Sequence, residues 1–381
     1  MYMLNESTNK ENTNTPLEKE KDDILSEVLA SGKKISFPDF NFYKIRTFCG
    51  KYVDIQHKST EDGKFVTQYT GYDIDNQKFM IFTLDNDFSV IAAKHSGKVI
   101  DVHYNRFSSS PRHAIAQYDF HNNENQKFFI SNDGVFAVKE TGLVWDVQGA
   151  SNADGINIMP HDYHGASHQK FMLEPSESVS INLPTRATLP PAPDFKTTNL
   201  DEILPDKTTP VITHATYIPY FMVKDPYYNA QQKIEKSPYY ILVRRQYWEK
   251  KSQRIVGAGE TYGYSQTTGV SRTDQTSMTK TTEISIGADL GFAFKGFSAG
   301  LSTSITETLS VTKSTSNTDS TEETITITDS NTFNHTIARA KYMLINEYYV
   351  TRADGEEITS GDSMYWKVPD PSRTVTRTIP R

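Results

Sequence analysis

The 381-residue chain contains a single cysteine, Cys49, so no intramolecular disulfide can form and nothing implies folding in an oxidising compartment. The expected role of that thiol is a small buried hydrophobe. No window approaches the ~20 apolar residues of a membrane-spanning helix, so any passage into a bilayer has to be made by β-strands. The opening stretch MYMLNESTNKENTNT lacks an apolar run and does not read as a Sec signal peptide. A basic excess is also missing. The formal net charge is -7, which argues against nucleic acid as a partner. Residues 210–381 hold no nucleophile elbow, phosphate loop, metal motif or convincing carboxylate pair, and His214 and His335 stand alone. No catalytic residue, enzyme activity or cofactor is therefore expected.

What is present falls into four parts. Residues 1–36 are polar and charge-rich and read as a disordered arm with many lysines open to trypsin-like cleavage; ILSEVLASG adds a short helix before Gly32. Residues 37–175 show short β-type runs separated by turn residues. Residues 176–209 include the proline-rich INLPTRATLPPAPDF, a linker or a strap. Residues 210–381 differ in character: from Ser265 to Ser330 nearly half the positions are serine or threonine, and proline is absent.

Within 37–175, three strings share Gln-Lys-Phe: NQKFMI, NQKFFI and HQKFML, beginning their shared triplet at Gln77, Gln126 and Gln169. Each follows a second echo, GKYVDIQ, GKVIDVH or TGLVWDVQ. The aspartates of these echoes, Asp54, Asp101 and Asp146, precede the glutamines by 23, 25 and 23 residues. Two matched signals, three times in order, indicate three copies of one β-rich unit of about 45 residues. None could bury its apolar face alone, so the three should pack about a pseudo-threefold axis.

This pattern resembles the ricin-type β-trefoil lectins, with Gln-x-Phe where that family usually has Gln-x-Trp. The resemblance implies that Gln77, Phe79, Gln126, Phe128, Gln169 and Phe171 are structural. It implies sugar pockets built from an Asp that accepts from sugar hydroxyls, a ring that stacks on the sugar, and an Asn before the motif Gln. The second repeat supplies Asp101, Tyr118, His121 and Asn125, a spacing that fits the galactose-binding pattern of these lectins. The first supplies Asp54, Tyr69, Tyr72 and Asn76. The third supplies Asp146, His161, His164 and His168, a diverged or degenerate pocket. On a helix those three histidines would share a face and suggest a metal site. With a trefoil in place of a helix, no metal is expected.

In the C-terminal part, Ile284, Ile286, Ala288, Leu290, Phe292 and Phe294 occupy every even position. After Lys295-Gly296, Phe297, Ala299, Leu301, Ile305, Leu309 and Val311 fall at odd ones. Period-2 alternation predicts a β-hairpin over about 283–311, flanked by long strands at 265–282 and 312–328. The pair reads either as core strands of a sandwich or as a hairpin stored against the protein and later inserted into a membrane barrel. Tyr239, Tyr240, Tyr247 and Trp248 are expected in the core.

The run YIPYFMVKDPYYNAQQKIEKSPYYILVRRQYW, residues 217–248, followed by IGADLGFAF, resembles the C-terminal module of the Bin-type insecticidal crystal toxins. That family joins a trefoil to an aerolysin-like β-pore module. The resemblance implies an all-β chain with an N-terminal β-trefoil and an elongated aerolysin-like domain. It implies storage in a parasporal crystal of a spore-forming bacillus, trimming by gut proteases and action on gut-cell membranes. Galactose-type glycans or glycolipids, the target membrane, other copies of the chain and a second toxin component are the implied partners. A plain lectin or adhesin with a rigid β stalk, and a glycan-processing enzyme carrying a trefoil, are the competing readings.

Overall fold

A computed structural model describes residues 37–84, 88–104 and 113–380, together with Ser26, Ala30 and Gly32; only the backbone is described at His103, Tyr104 and His113. The arm expected over 1–36 lies almost wholly outside these residues. The chain divides into two compact units, one within residues 1–177 and the other formed chiefly by 178–381. Both are built mainly of β-strands, as the sequence pattern requires.

Among the described residues the first unit contains twelve strands, four from each repeat. Equivalent strands carry equivalent side chains. Val53 and Ile55, Ile100 and Val102, and Trp145 and Val147 flank the three aspartates and are all buried. With Val66, Ile115, Ile158, Phe79, Phe128 and Phe171 they form one continuous core. Lys64–Tyr69 pairs with both His113–Tyr118 and Ile156–His161, so one strand from each repeat meets the others on one side of the unit. Met172–Ser178 pairs with Asn41–Arg46 and brings the last repeat back to the first. This is a β-trefoil. Stacking of Phe136 on Trp145 at 4.8 Å, with Phe128 and Phe171 edge-on to the indole, fills the core at the third repeat.

The second unit is organised by a long antiparallel sheet. Tyr239–Val256 lies between Val211–Pro219 and Ile337–Thr351, and Trp366–Ile379 pairs along the far side of Ile337–Thr351. Tyr239, Tyr240, Tyr247 and Trp248 are buried in it, as expected. The proline-rich segment is a strap on this sheet. Ala192, Phe195 and Leu204 pack with Trp248, Ala340, Tyr342 and Leu344, and the Trp248 indole donates to the Pro190 carbonyl at 2.9 Å.

Thr261–Thr268 and Glu323–Ser330 form a separate two-stranded ribbon, and residues 269–322 make an excursion between its ends. Here the structure corrects the expected hairpin. Ile284–Ile286 and Phe292–Phe294 are short strands paired with each other, and Ala299–Leu309 is an α-helix. The expected long flanking strands are also shortened: Arg272–Thr282 is helical and the chain from Ser314 to Glu322 is irregular.

The reasons are local. Gly287, Asp289 and Gly291 occupy the odd positions of the first arm. Asp289 accepts from the Gly291 and Thr315 amides and the Ser314 hydroxyl, which folds 287–291 into a turn. A Cβ at Gly291 would lie 2.7 Å from the Ser314 backbone nitrogen, so the close approach requires glycine. In the second arm Leu301, Ile305 and Leu309 recur every four residues, a spacing that satisfies both periods. A strand would place Thr303 and Glu307 on the apolar face; the helix exposes both. Ser298 caps it, accepting from the Leu301 amide at 3.2 Å, and Ser271 caps Arg272–Thr282 through the Asp274 amide.

Candidate functional site: three pockets of the trefoil

The motif glutamines set the frame of each pocket. Gln77 donates to the Thr70 carbonyl and accepts from the Tyr72 amide. Gln126 does the same with Asp119 and His121, and Gln169 with Asp162 and His164. The partners lie seven and five residues back in every case. A fully buried amide thus pins the loop that carries the aromatic or histidine edge, which is why these residues repeat in sequence.

In the first pocket Gln77 and Asn76 both donate to Asp54 Oδ2, each at 2.9 Å. Asn76 Nδ2 also reaches the Ile55 carbonyl, while its Oδ1 is buried without a hydrogen-bond partner. Burial pushes the Asp54 carboxyl above the usual carboxylate range, against the hydrogen bonds from Gln77 and Asn76 that pull it down. Tyr69 and Tyr72 are 40% and 52% exposed, with ring centroids 6.4 Å apart. Together with His57, Lys58 and Thr67 these residues line a cleft of ≈ 470 Å³. An acidic floor beneath two exposed rings suits a ligand with hydroxyls on one side and C–H groups on another.

In the second pocket His121 Nε2 lies 3.0 Å from Asp101 Oδ2. Asp101 is buried, Tyr118 is half-buried, and Asn125 Nδ2 reaches the Val102 carbonyl at 3.3 Å. Asn125 Oδ1, like its counterpart on Asn76, is buried without a partner. Burial first, then the Asp101 charge, raises the Tyr118 phenol above its ordinary pKa.

The third pocket brings Asp146, His161, His164 and His168 together without a helix. His161 ends the strand Ile156–His161, His164 lies in the following loop and His168 in the short turn Ser167–Gln169. Nε2 of His164 and of His168 lie 3.6 and 3.4 Å from Asp146 Oδ2. The His161 and His164 ring centroids are 5.6 Å apart. One ligand atom each from Asp146, His161 and His164 falls within 4.8 Å of the others.

Two functional features escaped sequence reasoning. Gln68 donates to the Ser151 and Ala153 carbonyls, and Gln117 to those of Ser59 and Glu61, so each fixes the rim of a neighbouring repeat. The repeated Gln-Tyr of TQY and AQY was the signal. His57 and Lys58 reach the first pocket from a turn with left-handed backbone, φ 61° and 53°, which no motif announced.

The residues named for membrane insertion do not share a face. Ile284, Ile286, Phe292 and Leu301 are buried, Leu290, Phe294 and Phe297 are half-buried, and Ala288 and Ala299 are exposed.

Comparison with known proteins places both units. Residues 41–171 match the ricin-type beta-trefoil lectin domain, and residues 211–377 match the family Insecticidal Crystal Toxin, P42. Binary larvicide subunit BinA of Lysinibacillus sphaericus is 24% identical over 353 residues, covering 89% of each chain. Subunit BinB of the same organism is 26% identical over 306 residues, covering 75% of this chain and 67% of its own. The crystal structure of Cry35Ab1 shares the fold, with a TM-score of 0.72 at 20% identity over 90% of both chains. With a trefoil lectin domain ahead of a crystal-toxin module, the chain is similar along most of its length to the Bin-type insecticidal crystal toxins.

Proposed function

We propose that the protein is an insecticidal pore-forming toxin. Its trefoil binds galactose-type glycans on gut-cell membranes, and residues 269–322 leave their stored position to extend the ribbon into a membrane β-hairpin. Several copies, each contributing one hairpin, close a barrel. Storage in a parasporal crystal and trimming of the N-terminal arm by gut proteases precede these steps. A second toxin component is a candidate partner, since the relatives bear the names of binary larvicide subunits.

The observation that carries this reading is the excursion 269–322 between the paired ends of an exposed ribbon. Its serines and threonines tolerate both water and a lumen, and its apolar residues keep a spacing compatible with a strand. The carbohydrate step is supported by the first two pockets, where a buried Asp lies beside the exposed rings of Tyr69 and Tyr72 or beside the half-buried Tyr118 and the exposed His121.

The test is dye release from vesicles carrying galactose-terminated glycolipid, before and after trypsin. Release after trimming supports the reading. A T281C/T359C tether, built where the two hydroxyls lie 3.4 Å apart in a Cys49→Ser background, should abolish release when oxidised and spare glycan binding. Binding without release under all conditions would favour a lectin or a component that needs its partner.

A further inference from the structure

We infer that the third pocket of the trefoil is a zinc site, with Asp146, His161 and His164 as ligands and His168 available as a fourth. In sequence the three histidines share a face only on a helix, and this segment is not α-helical. The trefoil assembles the same donors from a strand end, a loop and a short turn.

The geometry is close to what a tetrahedral Zn²⁺ requires. Ligand atoms about 2.0–2.1 Å from the ion lie roughly 3.4 Å from each other. Two of the separations, His164 to Asp146 and His168 to Asp146, are already 3.6 and 3.4 Å. The wider spread, up to 4.8 Å, falls within the small ring rotations open to His161 and His164, which are exposed. Asp146 is 4% exposed and fixed in a strand, so the carboxylate forms the floor and the imidazoles close over it.

The supporting hydrogen bonds are those a metal site needs. His161 Nδ1 lies 3.1 Å from the Asp162 carbonyl; protonated there, it donates to that oxygen and leaves Nε2 as the ligand. Gln169 donates to Asp146 Oδ2 at 2.9 Å, and its own orientation is set by the Asp162 carbonyl and the His164 amide. The donor set of three imidazoles and one carboxylate selects Zn²⁺ over Ca²⁺ or Mg²⁺, which take oxygen ligands. In the other two repeats the corresponding positions hold Tyr69, Tyr72 and Asn76, or Tyr118, His121 and Asn125, sets with at most one imidazole. Substitution of both the ring and the Asn by histidine therefore exchanges a sugar pocket for a metal pocket within one frame.

The experiment is calorimetric titration of the full-length, untagged protein with zinc chloride in a non-chelating buffer, followed by Co²⁺ substitution. One equivalent should bind, and Co²⁺ should give the intense visible absorption of tetrahedral nitrogen–oxygen coordination. H161A and H164A should each weaken binding at least about tenfold, because each removes one of three or four ligands. H335A, at an exposed histidine outside every pocket, should leave it unchanged. Unaltered zinc-free melting temperatures show that the variants are folded. Zinc affinity weaker than about 1 mM, or binding that survives H161A and H164A together, overturns the inference. A failure to bind galactosides at the other two pockets would bear on the carbohydrate reading alone.

Discussion

The helix Ala299–Leu309 should depend on one buried guanidinium. Arg244, on the central strand Tyr239–Val256, is 8% exposed and donates through Nη1 to the Leu309 and Ser310 carbonyls, both at 2.8 Å. Its Nε and Nη2 hold Asn346 Oδ1 at 3.1 and 2.8 Å. The cation therefore satisfies the last carbonyls of the helix where the helix dipole favours positive charge. Arg244→Met keeps the alkyl stem and removes all four bonds. Each charged hydrogen bond is worth about 1.5–3 kcal/mol, and two of them hold the helix end, so the local cost is about 3 kcal/mol or more. Hydrogen exchange reads this directly. Amides of residues 303–309 should exchange about 100-fold faster, since 1.4 kcal/mol is a factor of ten. Dye release by trimmed protein should accelerate in parallel. Arg244→Lys, a single point charge, should recover only part of the protection. If the helix amides exchange as slowly in Arg244→Met as in the parent, the clasp is irrelevant and the argument fails.

Other outcomes follow from the same geometry. Asp101→Ala should weaken galactoside binding at the second pocket without unfolding the trefoil, whereas Gln126→Ala should destabilise the trefoil by about 1–3 kcal/mol, because its amide bonds are buried; normal galactoside binding by the first variant would remove Asp101 from the pocket. Asp225 is paired with Arg352 at 2.7 and 2.9 Å and accepts from Tyr240, so Asp225→Ala leaves the buried Arg352 with only the exposed carboxylate of Glu356 as its ion-pair partner and should cost about 3 kcal/mol in denaturant unfolding. At the ribbon base, burial pushes the Asp329 carboxyl upward, but Lys341, Tyr262 and Arg339 outweigh it and hold the pKa at about 2. A depressed carboxylate stabilises the fold fully above its unfolded value of about 4 and loses that contribution as pH falls through about 2. Protection factors at residues 261–263, with the intrinsic pH dependence of exchange divided out, should therefore fall across that window, stay flat above about pH 5, and lose this pH dependence in Asp329→Asn.

The repeats were legible because each Gln bonds to groups five and seven residues back and shares its pocket with an Asp some two dozen residues earlier. Such bonds write a fixed period into the chain. The strap was half legible: its prolines announced an extended segment, but the burial of Ala192 and Phe195 depends on Trp248 and Tyr342, far away in sequence. The excursion 269–322 was misread for a different reason. Leu301, Ile305 and Leu309 fit a strand and a helix equally, and the intrinsic preference is weak. With Gly300, three threonines and two serines, residues 299–309 are about 5 kcal/mol less helical than polyalanine of the same length. What decides the state is supplied from outside the alternation: the Ser298 cap, the Arg244 clasp and the Asp289 turn. A helix held by its neighbours and not by its own propensity costs little to lose once those contacts open. The residues then free to pair are the ones whose even spacing also suits a strand. On this argument the ambiguity of the sequence and the stored state of the segment have one physical cause.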